Sequence, residues 1–130
     1  MSNKAVVNTI DTFVSGDSYI LDMQVWEDQE NTIKKDLTGL REVIYRIWLV
    51  GDFKEPVFET RWKEDHYINI PDLSEGRIYV DLRGDLLEVN KGQFYQRLHI
   101  VDESGRKTTI LNEYVNIESL PLNNNNNNNI

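Results

Sequence analysis

The feature that most constrains this chain is a two-residue hydrophobic period that restarts after each turn signal. In "YILDMQV", residues 19–25, Tyr19, Leu21, Met23 and Val25 are apolar while Asp22 and Gln24 interrupt the alternate positions. Successive side chains of a strand point to opposite faces, so this pattern marks a half-buried strand. The period returns in "VFETRW" (57–62), "HYINI" (66–70), "RIYVDL" (77–82) and "QFYQRLHIV" (93–101), the last with Phe94, Leu98 and Ile100 on one face. One run departs from it. "REVIYRIWLV" (41–50) sets Val43, Tyr45, Ile47 and Leu49 on one face and Ile44, Trp48 and Val50, with Arg46, on the other. Such a strand is either central or covered on its second face by a partner. Ile44, Trp48 and Val50 are therefore candidate subunit-interface residues.

Punctuation between the runs is regular. Gly16-Asp17 and Gly51-Asp52 make turns, Pro56 bars a ladder donor, and "PDLSEG" (71–76) is a connector. "KAVVNTI" (4–10) reads as a short first strand at a sheet edge, and "GDLLEVNKG" (84–92) has room for a single helical turn capped by Asp85. "DESGRK" (102–107) forms a hairpin loop around Gly105 leading to "TTILNEYVNI" (108–117), where the alternation slips and a kink is expected at Asn112-Glu113. About seven to eight short strands with almost no helix predict an antiparallel β-sandwich, with a small barrel as the alternative. The sandwich takes residues 1–118. Residues 119–130, which end in seven consecutive Asn and Ile130, form an Asn-rich tail with no apolar face to bury. Leu120, Leu122 and Ile130 are its candidate docking residues.

Chemistry is sparse. The net charge of −8, from 14 Lys and Arg against 22 Asp and Glu, argues against direct binding to a nucleic-acid backbone. No Cys is present, so neither disulfides nor thiolate metal sites enter. No run approaches the roughly 18 apolar residues of a membrane helix, and "MSNKAVVNTIDTF" lacks the apolar stretch of a signal peptide, so no membrane partner is expected and the product is expected in the cytoplasm when made. His66 and His99 lack the spacing of a metal pair, "SGDSY" has no nucleophile elbow, and the glycines stand singly rather than in a phosphate loop. "WEDQE" (26–30) and "VDESG" (101–105) lack the calcium-loop register and read as solvated tips, and Arg83-Gly84-Asp85 reads as a turn. No catalytic residue, metal or cofactor is expected. Trp26, Trp48 and Trp62 could serve a sugar-binding platform if exposed together, or else fill the core and subunit contacts.

The ordered set "GDSYILDMQVWED", "KDLTGL", "EGRIYVDL" and "GQFYQRLHIVDESGRKTTIL" resembles the immunoglobulin-like N-terminal domain of phage baseplate upper proteins and related virion modules. The resemblance runs from about Gly16 to Ile117 and rests on Gly16-Asp17, Asp36-Leu37-Thr38-Gly39, Gly92-Gln93-Phe94-Tyr95 and Asp102-Glu103-Ser104-Gly105 as turn motifs in order. In the Asp-Leu-Thr-Gly-Leu motif, Leu37 and Leu40 are expected to point to the core, with Gly39 supplying a backbone angle other residues resist. The resemblance implies an immunoglobulin-like fold and a non-enzymatic virion structural protein. It would be a homo-oligomeric fibre or adaptor module, with a trimer favoured, docked on other virion proteins such as capsid, fibre or baseplate. The chain lacks the glycine often carried near the last strand, with Asn112 and Glu113 standing there, and continues into the Asn tract rather than a receptor-binding or fibre domain. The second departure favours a short fibre or accessory module over a tail-baseplate location. The competing expectation is a carbohydrate-binding module for host attachment.

Overall fold

Period-two runs become strands because alternation gives each one an apolar face, and the faces must be buried against one another. The computed structural model describes residues 4–7, 12–14, 16–83 and 92–118. Its elements are β1 (Lys4–Val7), β2 (Thr12–Val14), β3 (Tyr19–Trp26), β4 (Glu42–Leu49), β5 (Phe58–Arg61), β6 (Ile68–Asn69), β7 (Arg77–Leu82), β8 (Gly92–Val101) and β9 (Lys107–Glu118), with a 3-10 turn at Leu73–Glu75. They form two sheets, ordered β1-β3-β7-β6 and β2-β9-β8-β4-β5. Leu21, Met23 and Val25 of β3 and Ile78, Val80 and Leu82 of β7 meet Val43, Tyr45 and Ile47 of β4 and Phe94, Leu98 and Ile100 of β8 in one buried core. The fold is an all-β sandwich.

Two details differ from the sequence reading. The first run is followed by a second short strand that the period did not show: β1 pairs with β3, whereas β2, beyond that run, pairs parallel to β9, Phe13 opposite Ile117. The five-stranded sheet is therefore mixed, and the described strands number nine. Phe13 is fully buried, and its burial is what a separate three-residue strand at that edge achieves. The slip in β9 falls earlier than Asn112-Glu113. Leu98 pairs with Leu111 but His99 pairs with Thr109, which leaves Ile110 as an extra residue. Ile110 and Leu111 are consecutive and both buried, which strict alternation forbids and a bulge permits.

The Asp-Leu-Thr-Gly-Leu motif is a fastening. Oδ1 of Asp36 accepts from the Thr38 backbone N–H at 2.9 Å and from its hydroxyl at 2.6 Å. The Leu40 N–H donates to the Leu37 carbonyl, and Gly39 sits at φ +87°. Leu37 and Leu40 are buried in the core. The Leu37 N–H reaches the Leu73 carbonyl at 2.8 Å and the Arg41 N–H the Val101 carbonyl at 2.9 Å, so the loop ties the 3-10 turn to the end of β8. Gly16 and Gly105 turn at φ +93° and +89°, the Asp17 N–H closes on the Val14 carbonyl, and Gly92 opens β8 at φ +120°. Residues 84–91 of the expected helical turn, most of the Arg83-Gly84-Asp85 tripeptide and the tail residues Leu120, Leu122 and Ile130 lie outside the described residues.

Candidate functional site

The outward face of the five-stranded sheet is built by the register of three strands. Trp48 of β4 pairs with Tyr95 of β8, and Tyr95 pairs with Tyr114 of β9, so three aromatic side chains fall in one row across the sheet. Ring centroids are 5.8 Å apart for Trp48 and Tyr95 and 5.3 Å apart for Tyr95 and Tyr114. Phe53, from the β4–β5 connection, meets the Tyr95 ring edge-on at 5.9 Å. Tyr114 and Phe53 are 61% and 52% exposed, so the row ends in open aromatic surface.

The neighbouring row is cationic. Arg46 and Arg97 stand directly opposite each other, a like-charge pair that costs stability unless each charge is answered elsewhere. Arg46 Nε donates to Glu59 Oε1 at 2.6 Å, and Arg61 Nε donates to Glu59 Oε2 at 3.1 Å. These donors hold the Glu59 carboxyl below the usual carboxylate range. Arg97 turns to the aromatics instead, its guanidinium carbon 5.8 Å from the Trp48 ring centre and 6.0 Å from that of Tyr95. Its Nε is buried with no hydrogen-bond partner among the described residues. In the next row lies His99, buried between Ile44 and Thr109 and pushed down to about 4, first by burial and then by Lys107 and Arg46.

Ile44 and Trp48 are themselves buried, at 3% and 9% exposure, and Val50 is half-buried. These three therefore do not require a partner's cover. Arg97 and Tyr95 lie against Trp48, and Ile44 sits among His99 and Arg61. Long polar side chains supply the cover that apolar counting omitted. The exposed aromatics are Phe53 and Tyr114, which the sequence reading missed. A signal existed in the second face of "QFYQRLHIV", where Tyr95, Arg97 and His99 alternate.

The three Trp residues do not form a platform. Trp26 ends β3 and pairs with Lys34, Trp48 lies in the aromatic row, and Trp62 follows β5 beneath Lys63. No two of their rings are in contact among the described residues. His66 is exposed on the β5–β6 connection while His99 is buried in β8. Among the described residues no three His, Asp or Glu side chains are placed to hold a metal ion. The acidic tips serve their own loops: Asp28 Oδ1 accepts from the Thr32 and Ile33 N–H groups, and Asp102 Oδ1 from those of Ser104 and Arg106.

No protein-family model and no curated protein matches the sequence. Solved structures match in fold. A marsupial T cell receptor is 11% identical over 90% of this chain, with a TM-score of 0.52. The SrpA adhesin from Streptococcus sanguinis is 11% identical over 96% of this chain, with a TM-score of 0.52. A polysaccharide deacetylase from Bacillus cereus is 14% identical over 89% of this chain, with a TM-score of 0.49. This chain spans 36%, 63% and 30% of those three chains, respectively. The first two likenesses establish an immunoglobulin-like β-sandwich and nothing about activity.

Proposed function

We propose that the chain is a non-enzymatic structural module of a bacteriophage particle, a homo-oligomeric fibre or adaptor on the particle's outside whose copies meet through the outward face of its five-stranded sheet. One observation carries the assembly: the row of Trp48, Tyr95 and Tyr114, extended by Phe53 and backed by Arg97. Protein interfaces concentrate aromatic residues and Arg at their centres, because these side chains bury large area for few rotatable bonds. The charged pair Arg46–Glu59 borders the row on one side, as a polar rim would. The particle is named by the resemblance of the ordered turn motifs to phage baseplate upper proteins, and a trimer is favoured because fibres and adaptors of such particles are commonly threefold. A net charge of −8 is repelled by packaged nucleic acid, which favours the outside. Mass spectrometry of density-banded phage particles, grown in a host expressing the tagged chain, tests this reading. The tagged chain is expected in the particle band and released on its disassembly; its recovery only in the soluble fraction would overturn the proposal.

A further inference from the structure

We infer that the protein carries a second binding site, a saccharide groove between the β5–β6 connection and the outward face of the four-stranded sheet. The groove has a volume of about 620 Å³, within the range of small-molecule sites. Its walls come from two sources. Trp62, Lys63 and His66 belong to the connection; Asn69, Tyr79 and Asp81 belong to β6 and β7.

The connection is braced rather than loose. The Trp62 N–H donates to the Val43 carbonyl at 2.9 Å, and the indole packs partly against the core. Oδ2 of Asp65 accepts from the Thr60 hydroxyl at 3.0 Å and from the Arg61 N–H at 3.1 Å, pinning the turn that follows β5. Lys63 is held at φ +76°, a backbone conformation that favours glycine, and its ammonium lies 4.5 Å from the centre of the Trp62 ring. On the opposite wall, pairing sets Asn69 beside Tyr79 and Asp81 beside Ile20. An amide, a phenol and a carboxylate thus alternate with apolar surface along one side of the groove.

The occupant follows from this mixture. It must offer apolar C–H groups to Ile20 and to the part of the indole that Lys63 and the core leave uncovered, and several hydroxyls to an amide, a carboxylate, a phenol and an ammonium. A pyranose ring has both, a face of C–H groups and a rim of hydroxyls. One Lys against Asp65 and Asp81 leaves no surplus of cations, which disfavours phosphates and nucleotides. The class is a neutral or amino-bearing oligosaccharide. This site stands on the groove alone and holds whether or not the chain belongs to a phage particle.

The test is a two-dimensional amide NMR titration of the full chain with maltotriose, cellotriose and chitotriose at millimolar concentration, with inorganic phosphate as the control. At least one saccharide is expected to shift the Trp62 indole resonance and the Asn69 and Asp81 amides saturably, while phosphate does not. Asn69→Ala and Asp81→Ala alter exposed side chains, so the fold should persist, and each is expected to weaken the interaction several-fold. Silence from all three saccharides, shifts that survive both substitutions, or equal shifts with phosphate would each overturn the inference.

Discussion

His99 is the residue whose chemistry the fold changes most. Burial penalises its imidazolium, Lys107 and Arg46 repel the same charge, Glu42 opposes them, and Arg97 adds a smaller repulsion; the result lies near 4 instead of 6.5. The unfolded chain therefore binds a proton between pH 6.5 and 4 that the folded chain refuses. His99 contributes stability above pH 6.5, and that contribution is lost as pH falls through about 4. At ~1.4 kcal/mol per unit the loss is roughly 3 kcal/mol at its upper end. Thermal denaturation should show Tm falling across this window in the wild type, with a flatter profile for His99→Leu. Asp28, Asp36, Glu59 and Asp102 are all held low by hydrogen bonds, so their losses come at lower pH. A second residue-scale test concerns Tyr45, whose hydroxyl donates to Gln96 Oε1 at 2.8 Å inside the core. Burial raises this phenol well above its ordinary value. Tyr45→Phe strands a buried oxygen and should cost about 1–3 kcal/mol in urea denaturation, whereas Tyr45→Phe with Gln96→Leu should cost less than the sum of the single changes. Tyr45 was legible as a core residue from alternation, but Gln96 was not, because a buried amide looks like any exposed one until its partner is known.

Among the elements, the connectors are as exacting as the strands. Gly76 ends the 3-10 turn at φ +68°, and a Cβ there would stand 2.4 Å from the Lys35 carbonyl oxygen. Gly76→Ala should cost more than about 2 kcal/mol, since both the backbone angle and the contact resist it, and should lower the urea midpoint accordingly. Gly16→Ala is the comparison: it shares the positive φ but meets nothing within 4 Å, so its cost should be smaller. The long strands β3, β7 and β8 were readable because each repeats the two-residue period over at least six residues. β2 has three residues, too few to display a period, and its parallel pairing depends on a distant strand. The aromatic row was hidden for a related reason. Tyr114 reaches Tyr95 only with Ile110 bulged, and without that extra residue a count back from the Gly105 hairpin puts Tyr114 on the wrong face.

At the scale of the whole molecule, the two proposed sites lie on opposite sheets. The aromatic row belongs to the outward face of the five-stranded sheet, and the saccharide groove opens over that of the four-stranded one. A molecule whose copies meet by one face can therefore keep the other available. The sandwich supplies a rigid frame for both, and the sequence disclosed that frame more readily than either surface. Core faces obey a period, whereas surface rows depend on which strands become neighbours. If the aromatic row is where copies of this chain meet, sedimentation equilibrium of the full chain at micromolar concentration should separate the wild type from Tyr114→Glu. Tyr114 is 61% exposed, so the substitution should leave Tm nearly unchanged. The wild type is expected at twice 15.3 kDa or more and the variant at 15.3 kDa; a wild-type monomer, or a variant that assembles as well as the wild type, would rule that interface out.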